Sequence, residues 1–204
     1  MTATMEPGGM PAAYPASLQL AASDEIANWR PLVQWILAVP HLVIAGALEY
    51  VTGALAIVSW FIILFTGRLP ESLANFQIMI VRYTTRTQFY SGFLYEEYPP
   101  FDFTLSARDP GGSPVEVNIT PELENRNRLT VGLRFLWLIP AMLYAFVIWI
   151  VAAFSWFFAF FAILFTGRWP GGLRRWVMKF NRVNIRLQAY TLLLTDEYPP
   201  FSTD

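Results

Sequence analysis

The chain has 204 residues and a formal net charge of -1, so it lacks the excess of basic residues typical of nucleic-acid-binding proteins. Hydrophobic residues make up 55% of it and charged residues only 14%, well below the roughly 25% charged residues of an average soluble domain. The absence of cysteine excludes disulfides, thiol nucleophiles and thiolate metal ligands. This composition predicts a membrane protein.

The two halves of the chain repeat each other at an offset of 100 residues. The segment FTGRLP at 65–70 returns as FTGRWP at 165–170, and EYPPF at 97–101 returns at 197–201. A fixed offset of this kind indicates a tandem duplication. The predicted division is a tail (1–13), a first repeat (14–101), a linker (102–112) and a second repeat (113–204).

Residues 1–13 are mostly small, are rich in proline and glycine, and carry one charge, on Glu6. This composition predicts a disordered tail to which no function is assigned. The segment has neither the basic nor the apolar region of a signal peptide.

A short strand is predicted near the start of each repeat. Residues 14–20 alternate weakly between apolar and polar, with a strand at 16–20, and residues 113–119 alternate clearly. Phe103 and Leu105 also alternate, and Asp-Pro-Gly-Gly follows them with turn chemistry, so residues 102–119 are predicted to form a hairpin. The first strand can pair with it in a small sheet outside the bilayer, because lipid does not tolerate open sheet edges.

Residues 31–66 and 133–166 are almost wholly apolar. As one straight helix, each run would be about 50 Å long, against a hydrocarbon core of about 30 Å. Two interpretations follow: a transmembrane hairpin of two short helices, or one long bent span. Direct repeats are expected to share an orientation, so each should cross the membrane an even number of times. This parity favours the hairpin, with Glu49 near its tip and four spans in all.

In the four-span arrangement the basic residues lie on one side of the membrane, which the positive-inside rule assigns to the cytoplasm. Both termini are then predicted to be cytoplasmic.

Each apolar run ends in the FTGR motif. Gly67 is predicted to take the left-handed conformation that closes a helix, and Pro70 to restart the chain in a new one. Arg68, just beyond the run, can lay its stem along lipid and place its guanidinium among phosphates.

Helices with two distinct faces are predicted at 72–94 and 172–194. In the second of them, Trp176 and Phe180 begin an apolar stripe, while Arg175 begins a basic face. Such a helix suits the headgroup layer of a membrane, and packing against protein suits it equally well. The candidate headgroup-facing residues are Arg68, Arg82, Arg86, Arg168, Arg174, Arg175, Lys179, Arg182 and Arg186.

The second apolar run carries more aromatic residues than two interfacial belts need. Rigid aromatic side chains at mid-bilayer depth favour contact with another membrane protein, a second copy or an apolar ligand. The candidate contact residues are Phe154, Trp156, Phe157, Phe160 and Phe161.

Catalytic chemistry has little support in the sequence. His41 is the only histidine, so no catalytic triad or paired-histidine metal or haem site can form within one chain. It is expected to satisfy a backbone carbonyl near the break that Pro40 makes. Glu49 is the one acid inside an apolar run, and the hairpin places it in water. We expect no catalytic residue, no metal and no cofactor.

The order of these motifs resembles the bacterial membrane-protein family known as domain of unknown function 4389, in two tandem copies. The resemblance rests on VPH at 39–41, LFTGR at 64–68 and LTDEYPPF at 194–201. The second repeat departs from the first by having Ala141 where the first has His41. The resemblance implies a bacterial, actinobacterial-type inner membrane and brings no activity with it.

The sequence thus predicts a mainly α membrane protein of two repeats, each with a short strand, a transmembrane hairpin or one long bent span, and an amphipathic interfacial helix. The predicted function is that of a non-enzymatic accessory or scaffold subunit. Its predicted partners are anionic membrane lipid at the cytoplasmic face and another membrane protein or a second copy, with no nucleic acid. The alternative is a small transport or channel protein whose direct repeats line a path.

Overall fold

A computed structural model describes residues 14–203, and the predicted tail 1–13 lies outside them. The protein is mainly helical, and each repeat contributes one strand, one long apolar helix and one second helix. The elements in chain order are β1 (Ala16–Leu20), α1 (Arg30–Leu37), α2 (Val39–Thr66), α3 (Glu71–Ser91), β2 (Val115–Ile119), α4 (Arg128–Gly132), α5 (Arg134–Thr166) and α6 (Gly171–Thr191).

The predicted hairpin of two short helices is wrong, because α2 and α5 are each continuous, over 28 and 33 residues. Glu49 and Gly53 lie inside α2 instead of at a tip. The hydroxyl of Thr52 donates to the carbonyl of Leu48, one turn earlier, at 2.9 Å. The hydrogen-bonding need of this hydroxyl is therefore met within the helix, and no turn forms.

The FTGR motif closes both long helices as predicted. Gly67 and Gly167 adopt left-handed backbone angles, with φ of 71° and 67°. Their N–H groups donate to the carbonyls of Ile63 and Ile163 at 2.7 and 2.8 Å. This conformation reverses the chain, so that α3 and α6 can run back along the helices that precede them.

The two repeats interlock at these turns. The N–H of Ile26, just before α1, donates to the carbonyl of Gly167 at 2.9 Å, and the N–H of Arg126, just before α4, donates to the carbonyl of Gly67 at 3.1 Å. Each long helix therefore begins beside the end of the other, and the two run in opposite directions. The parity argument for four spans assumed that both repeats point the same way, so this finding removes its basis.

The strands are arranged like the long helices, with the two copies running in opposite directions. Both predicted strands are present, and β1 pairs with β2 in an antiparallel two-stranded sheet, with Leu18 opposite Val117. The predicted hairpin 102–119 is wrong, because the linker does not pair with β2. Its carboxylates are held by arginines instead: Arg86 donates to Asp102 at 3.0 Å and to Asp109 at 2.7 Å.

Helix α3 separates the long helix of its repeat from the sheet. Gln77 of α3 donates to the hydroxyl of Ser59 in α2 at 3.0 Å, while Arg86 of α3 donates to the carbonyl of Val115 in β2 at 3.3 Å. Nine residues, or two and a half turns, separate Gln77 from Arg86, so they lie on opposite faces. In the second repeat β1 packs on α6, which packs along α5. The order of layers is long helices, second helices, sheet.

Candidate apolar docking surface and basic groove

Each long helix contacts the rest of the chain along one line of residues, spaced three and four apart. Most members of this line are small, which lets the backbones of neighbouring helices approach closely. The buried members are Pro31, Gln34, Ala38, His41, Ala45, Ser59 and Ile63 on α1–α2, and Arg134, Leu138, Ala141, Ala145, Ala152, Ser155, Ala159 and Ile163 on α5.

The large apolar side chains of the same helices point away from the protein. Of the most apolar 18-residue stretch, only 11% is buried in α2 and 22% in α5, and both helices are apolar enough to span a membrane. We call this face of α1, α2 and α5 the apolar surface. A soluble protein keeps most of its large apolar residues inside. An exposed apolar face of this size therefore marks a contact with lipid or with another protein. Its most exposed members include Val43, Tyr50, Phe65, Phe135, Leu136, Leu143, Phe154, Phe157 and Phe165.

The predicted aromatic contact cluster divides into two groups. Phe154, Phe157 and Phe161 are exposed on the apolar surface. Trp156 and Phe160 are half-buried, because the end of α3 packs against them. The indole N–H of Trp156 donates to the carbonyl of Gly92 at 3.1 Å, and the ring of Phe160 lies 6.2 Å from that of Phe93. The sequence could not indicate this contact between repeats.

Two grooves related by the duplication lie where α3 and α6 meet the long helices. The larger, of about 620 Å³, is lined by Trp149, Phe180 and Gln88, among others. The smaller, of about 260 Å³, has the equivalent residues Glu49, Ile80 and Gln188. Glu49 thus occupies the position of Trp149 beside one of the grooves instead of a hairpin tip in water. The duplicated site has become aromatic in one repeat and acidic in the other.

Arg82 and Arg86 do not form an exposed basic face. Both are buried in an ion-pair cluster with the linker: Arg82 lies 3.4 Å and Arg86 2.7 Å from carboxylate oxygens of Asp109. Burial alone would raise the pKa of Asp102, but hydrogen bonds from Thr104 and Arg86 lower it below its ordinary value. The prediction that these two arginines face lipid headgroups is wrong, because helical spacing cannot show that an acidic segment downstream covers them.

A second buried cluster stabilises the other repeat. Arg126 and Arg134 lie 2.6 and 2.5 Å from the carboxylate of Asp196. Arg134 also donates to the carbonyls of Tyr190 and Thr195, at 3.3 and 2.9 Å. Its counterpart Gln34 makes the same two contacts in the first repeat, with the carbonyls of Tyr90 and Tyr95. The polar side chain near the start of each apolar run therefore ties the long helix to the loop that follows the second helix.

The basic face of α6 remains accessible. Arg174, Arg175, Lys179 and Arg182 line a groove of about 790 Å³ between α6 and the segment that follows β1. We call it the basic groove. Arg174 is paired with Asp24 and donates to the carbonyl of Ala22 at 3.1 Å.

The remaining basic candidates lie elsewhere. Arg186 donates to the carbonyl of Ser202 at 3.0 Å. Arg68 is exposed, and Arg168 is exposed and paired with Glu25 at 2.8 Å. Of the predicted headgroup-facing residues, the structure brings Arg82 and Arg86 together in the buried cluster and Arg174, Arg175, Lys179 and Arg182 together in the accessible basic groove.

The same arrangement of strand, long apolar helix, FTGR turn, second helix and EYPPF tail occurs in both repeats. A family model described as Domain of unknown function (DUF4389) matches residues 28–102 and 128–203. The chain belongs to this family. No curated protein and no solved structure matches it.

The EYPPF tail of each DUF4389 copy packs back on its long helix. In the first copy the ring of Phe101 stacks on His41 at 4.1 Å, and the hydroxyl of Tyr83 lies 2.8 Å from Nδ1 of His41. A tyrosine hydroxyl is thus the partner of Nδ1, and the expected backbone partner of His41 is Pro99. In the second copy Phe201 packs on Tyr144 at 5.3 Å. Ala141 in place of His41 leaves the docking of the tail intact.

Replacing Asp196 by Asn should destabilise the second DUF4389 copy by roughly 3–5 kcal/mol, because Arg134 would be left buried without a counter-charge and Arg126 would keep only Glu122, 4.0 Å away. Thermal unfolding in a mild detergent, followed by circular dichroism, measures the loss. The matched control is Glu197→Gln, which removes a neighbouring exposed carboxylate and should change stability little.

The ion pairs of Asp196 should also make the stability of the second copy depend on pH. Burial alone would raise the pKa of Asp196, but hydrogen bonds from Arg126 and the N–H of Asn127, with the charges of Arg126 and Arg134, lower it below 3.8. The contribution of ionised Asp196 to folding stability is complete well above pH 3.8, and it is lost as the pH falls through the lower pKa that Asp196 has in the folded state. Asp196→Asn should lack this part of the acid sensitivity, and a variant as stable and as acid-sensitive as the control would contradict the assignment.

Proposed function

We propose that the chain is a non-enzymatic membrane scaffold or accessory subunit, seated in a lipid bilayer through the apolar surface and binding anionic lipid and another membrane protein. One observation carries the proposal. The long helices bury small side chains and expose large apolar ones, which is the distribution expected where the surrounding medium is hydrocarbon. The proposed location is the bacterial inner membrane, with the polar side in the cytoplasm.

The order of the layers supports insertion of the long helices into one leaflet of the bilayer, which we call one-sided seating, in place of a multi-pass crossing. If α2 and α5 crossed the bilayer, the helices and sheet packed along them would lie at hydrocarbon depth. The two-stranded sheet has open edges and exposes Glu116, and lipid tolerates neither feature. With the long helices lying within one leaflet, the sheet and the linker remain in water.

One-sided seating also ranks the scaffold role above transport. A channel or transporter needs a path from one side of the bilayer to the other. Neither groove provides one when the long helices lie within a single leaflet.

The exposed aromatic residues of α5 are the proposed contact with a membrane partner. Phe154, Phe157 and Phe161 recur three and four residues apart and so share one face of the helix. Rigid aromatic rings provide a large contact area at a small cost in side-chain entropy. A second DUF4389 chain or a different membrane protein would bury this face.

Placing charges on the apolar surface should weaken membrane seating. Leu136 and Leu143 are each 64% exposed and lie seven residues apart on one face of α5. Each change to Asp should cost about 3 kcal/mol of insertion free energy. Flotation with vesicles of pure phosphatidylcholine measures the effect, and the double variant should move to the soluble fraction.

The matched control makes the same chemical change on the polar side of the molecule. Leu105 in the linker is 55% exposed, and Leu105→Asp should float like the unmodified protein. Equal release of both variants, or an unmodified protein that stays monodisperse without detergent, would refute the seating.

Leu substitutions at Phe154, Phe157 and Phe161 should leave vesicle binding intact but release the membrane partner, because they keep apolar area and remove aromatic shape. The size of the native assembly in mild detergent reports the release. Phe61→Leu with Phe65→Leu, on the exposed face of α2, is the control and should retain the assembly. An unchanged assembly size in the triple variant would rule out this contact.

A further inference from the structure

The duplication provides two versions of one arginine-bearing helix face. Arg82 and Arg86 occupy it on α3, and Arg182 and Arg186 occupy the equivalent positions on α6. In the first copy this face is covered by the linker, whose Asp109 lies 2.7 Å from Arg86 and 3.4 Å from Arg82. The first copy therefore supplies its own anion to this face.

The second copy carries more positive charge at the equivalent place. Arg174, Arg175 and Lys179 stand where the first copy has Ala74, Asn75 and Met79. Asp24 is the one acid among the residues that line the basic groove, and it is paired with Arg174. Within residues 14–203, no carboxylate lies within 4.0 Å of a charged nitrogen of Arg175, Lys179 or Arg182.

We propose that the basic groove binds a phosphate group, taking from a ligand the anion that the linker supplies in the first copy. Arg175, Lys179 and Arg182 recur four and three residues apart, so they share one face within two turns of α6. Asp24 is already paired with Arg174, so it cannot also balance these three cations. A phosphate carries up to two negative charges and accepts several charge-assisted hydrogen bonds, including paired ones from a guanidinium.

The lining of the groove fits a ligand that is apolar beyond its phosphate. Leu20 and Met178 lie among the cations, and Gln19 adds an amide donor. A phospholipid headgroup and a free phosphorylated small molecule share this chemistry. The lipid source rests on the proposed membrane seating, whereas the free ligand does not.

The test compares the triple variant Arg175→Gln, Lys179→Gln and Arg182→Gln with the unmodified protein in neutral detergent. The first probe is glycerol 3-phosphate, measured by calorimetry. The second is a set of phosphatidylcholine vesicles with and without phosphatidic acid. Loss of three cations should weaken binding of the phosphate probe by about 100-fold, from about fivefold for each cation. Arg175→Gln with Lys179→Gln repeats the test with two outward-facing substitutions that leave Arg182 in place.

A control variant, Arg108→Gln with Arg128→Gln, removes two charges at exposed residues outside the groove, to match the double variant, and should bind both probes normally. If the unmodified protein binds glycerol 3-phosphate and the triple variant does not, the result supports a free phosphate ligand. A groove-dependent preference for phosphatidic acid alone supports the lipid source, and binding to pure phosphatidylcholine tests the seating separately.

Three results would overturn the proposal. The first is equal loss of phosphate binding in the double groove variant and in its control, which would indicate a general charge effect. The second is that the unmodified protein binds neither phosphate probe. The third is that a peptide with the linker sequence of residues 102–112 binds the groove while both phosphate probes fail, which would indicate an acidic protein segment.

Discussion

The narrow line of contact between each long helix and the rest of the chain determines most of this structure. Because that line consists mainly of alanine and serine, α3 and α6 approach α2 and α5 closely, and most of the larger apolar side chains are left outside. The exposed area cannot be stabilised by water, so hydrocarbon or protein must cover it. In the proposed seating, the sheet on the far side of α3 and α6 is the part of the molecule that meets water.

Polar groups inside the protein tie the layers together. Gln34 and Arg134 each bind the loop after a second helix, and Asp109 and Asp196 each hold two buried arginines. Buried pairs of this kind add little net stability compared with an apolar core, but removing one partner is costly. They therefore specify how the helices and loops of each copy pack together. The two copies diverged mainly in charge: the first closes its arginine face with the linker, and the second leaves a basic groove.

Local features were predictable from the sequence, and spatial partners were not. The duplication is visible because the same motifs return 100 residues later. The two strands and the left-handed Gly67 are visible because alternation and turn chemistry are properties of neighbouring residues. The predicted hairpin in the first apolar run was wrong, because Glu49, Thr52 and Gly53 do not end the helix: the hydroxyl of Thr52 bonds to the carbonyl of Leu48 within it. The burial of Arg82 and Arg86 depends on Asp109, more than 20 residues downstream. The direction of the second repeat depends on the hydrogen bonds from Ile26 to Gly167 and from Arg126 to Gly67.

The sidedness of the two ends of the long helices tests one-sided seating most directly. Ser23 lies near the end of α5 and Ser72 near the end of α2, both are exposed, and the chain has no cysteine. Single cysteines at these positions, with Ser17→Cys on the sheet as a reference, can be treated with a membrane-impermeant maleimide in intact cells and in inverted vesicles. The account predicts that all three are labelled from the same side. Labelling of Ser23→Cys and Ser72→Cys from opposite sides would show that the helices cross the bilayer and would contradict it.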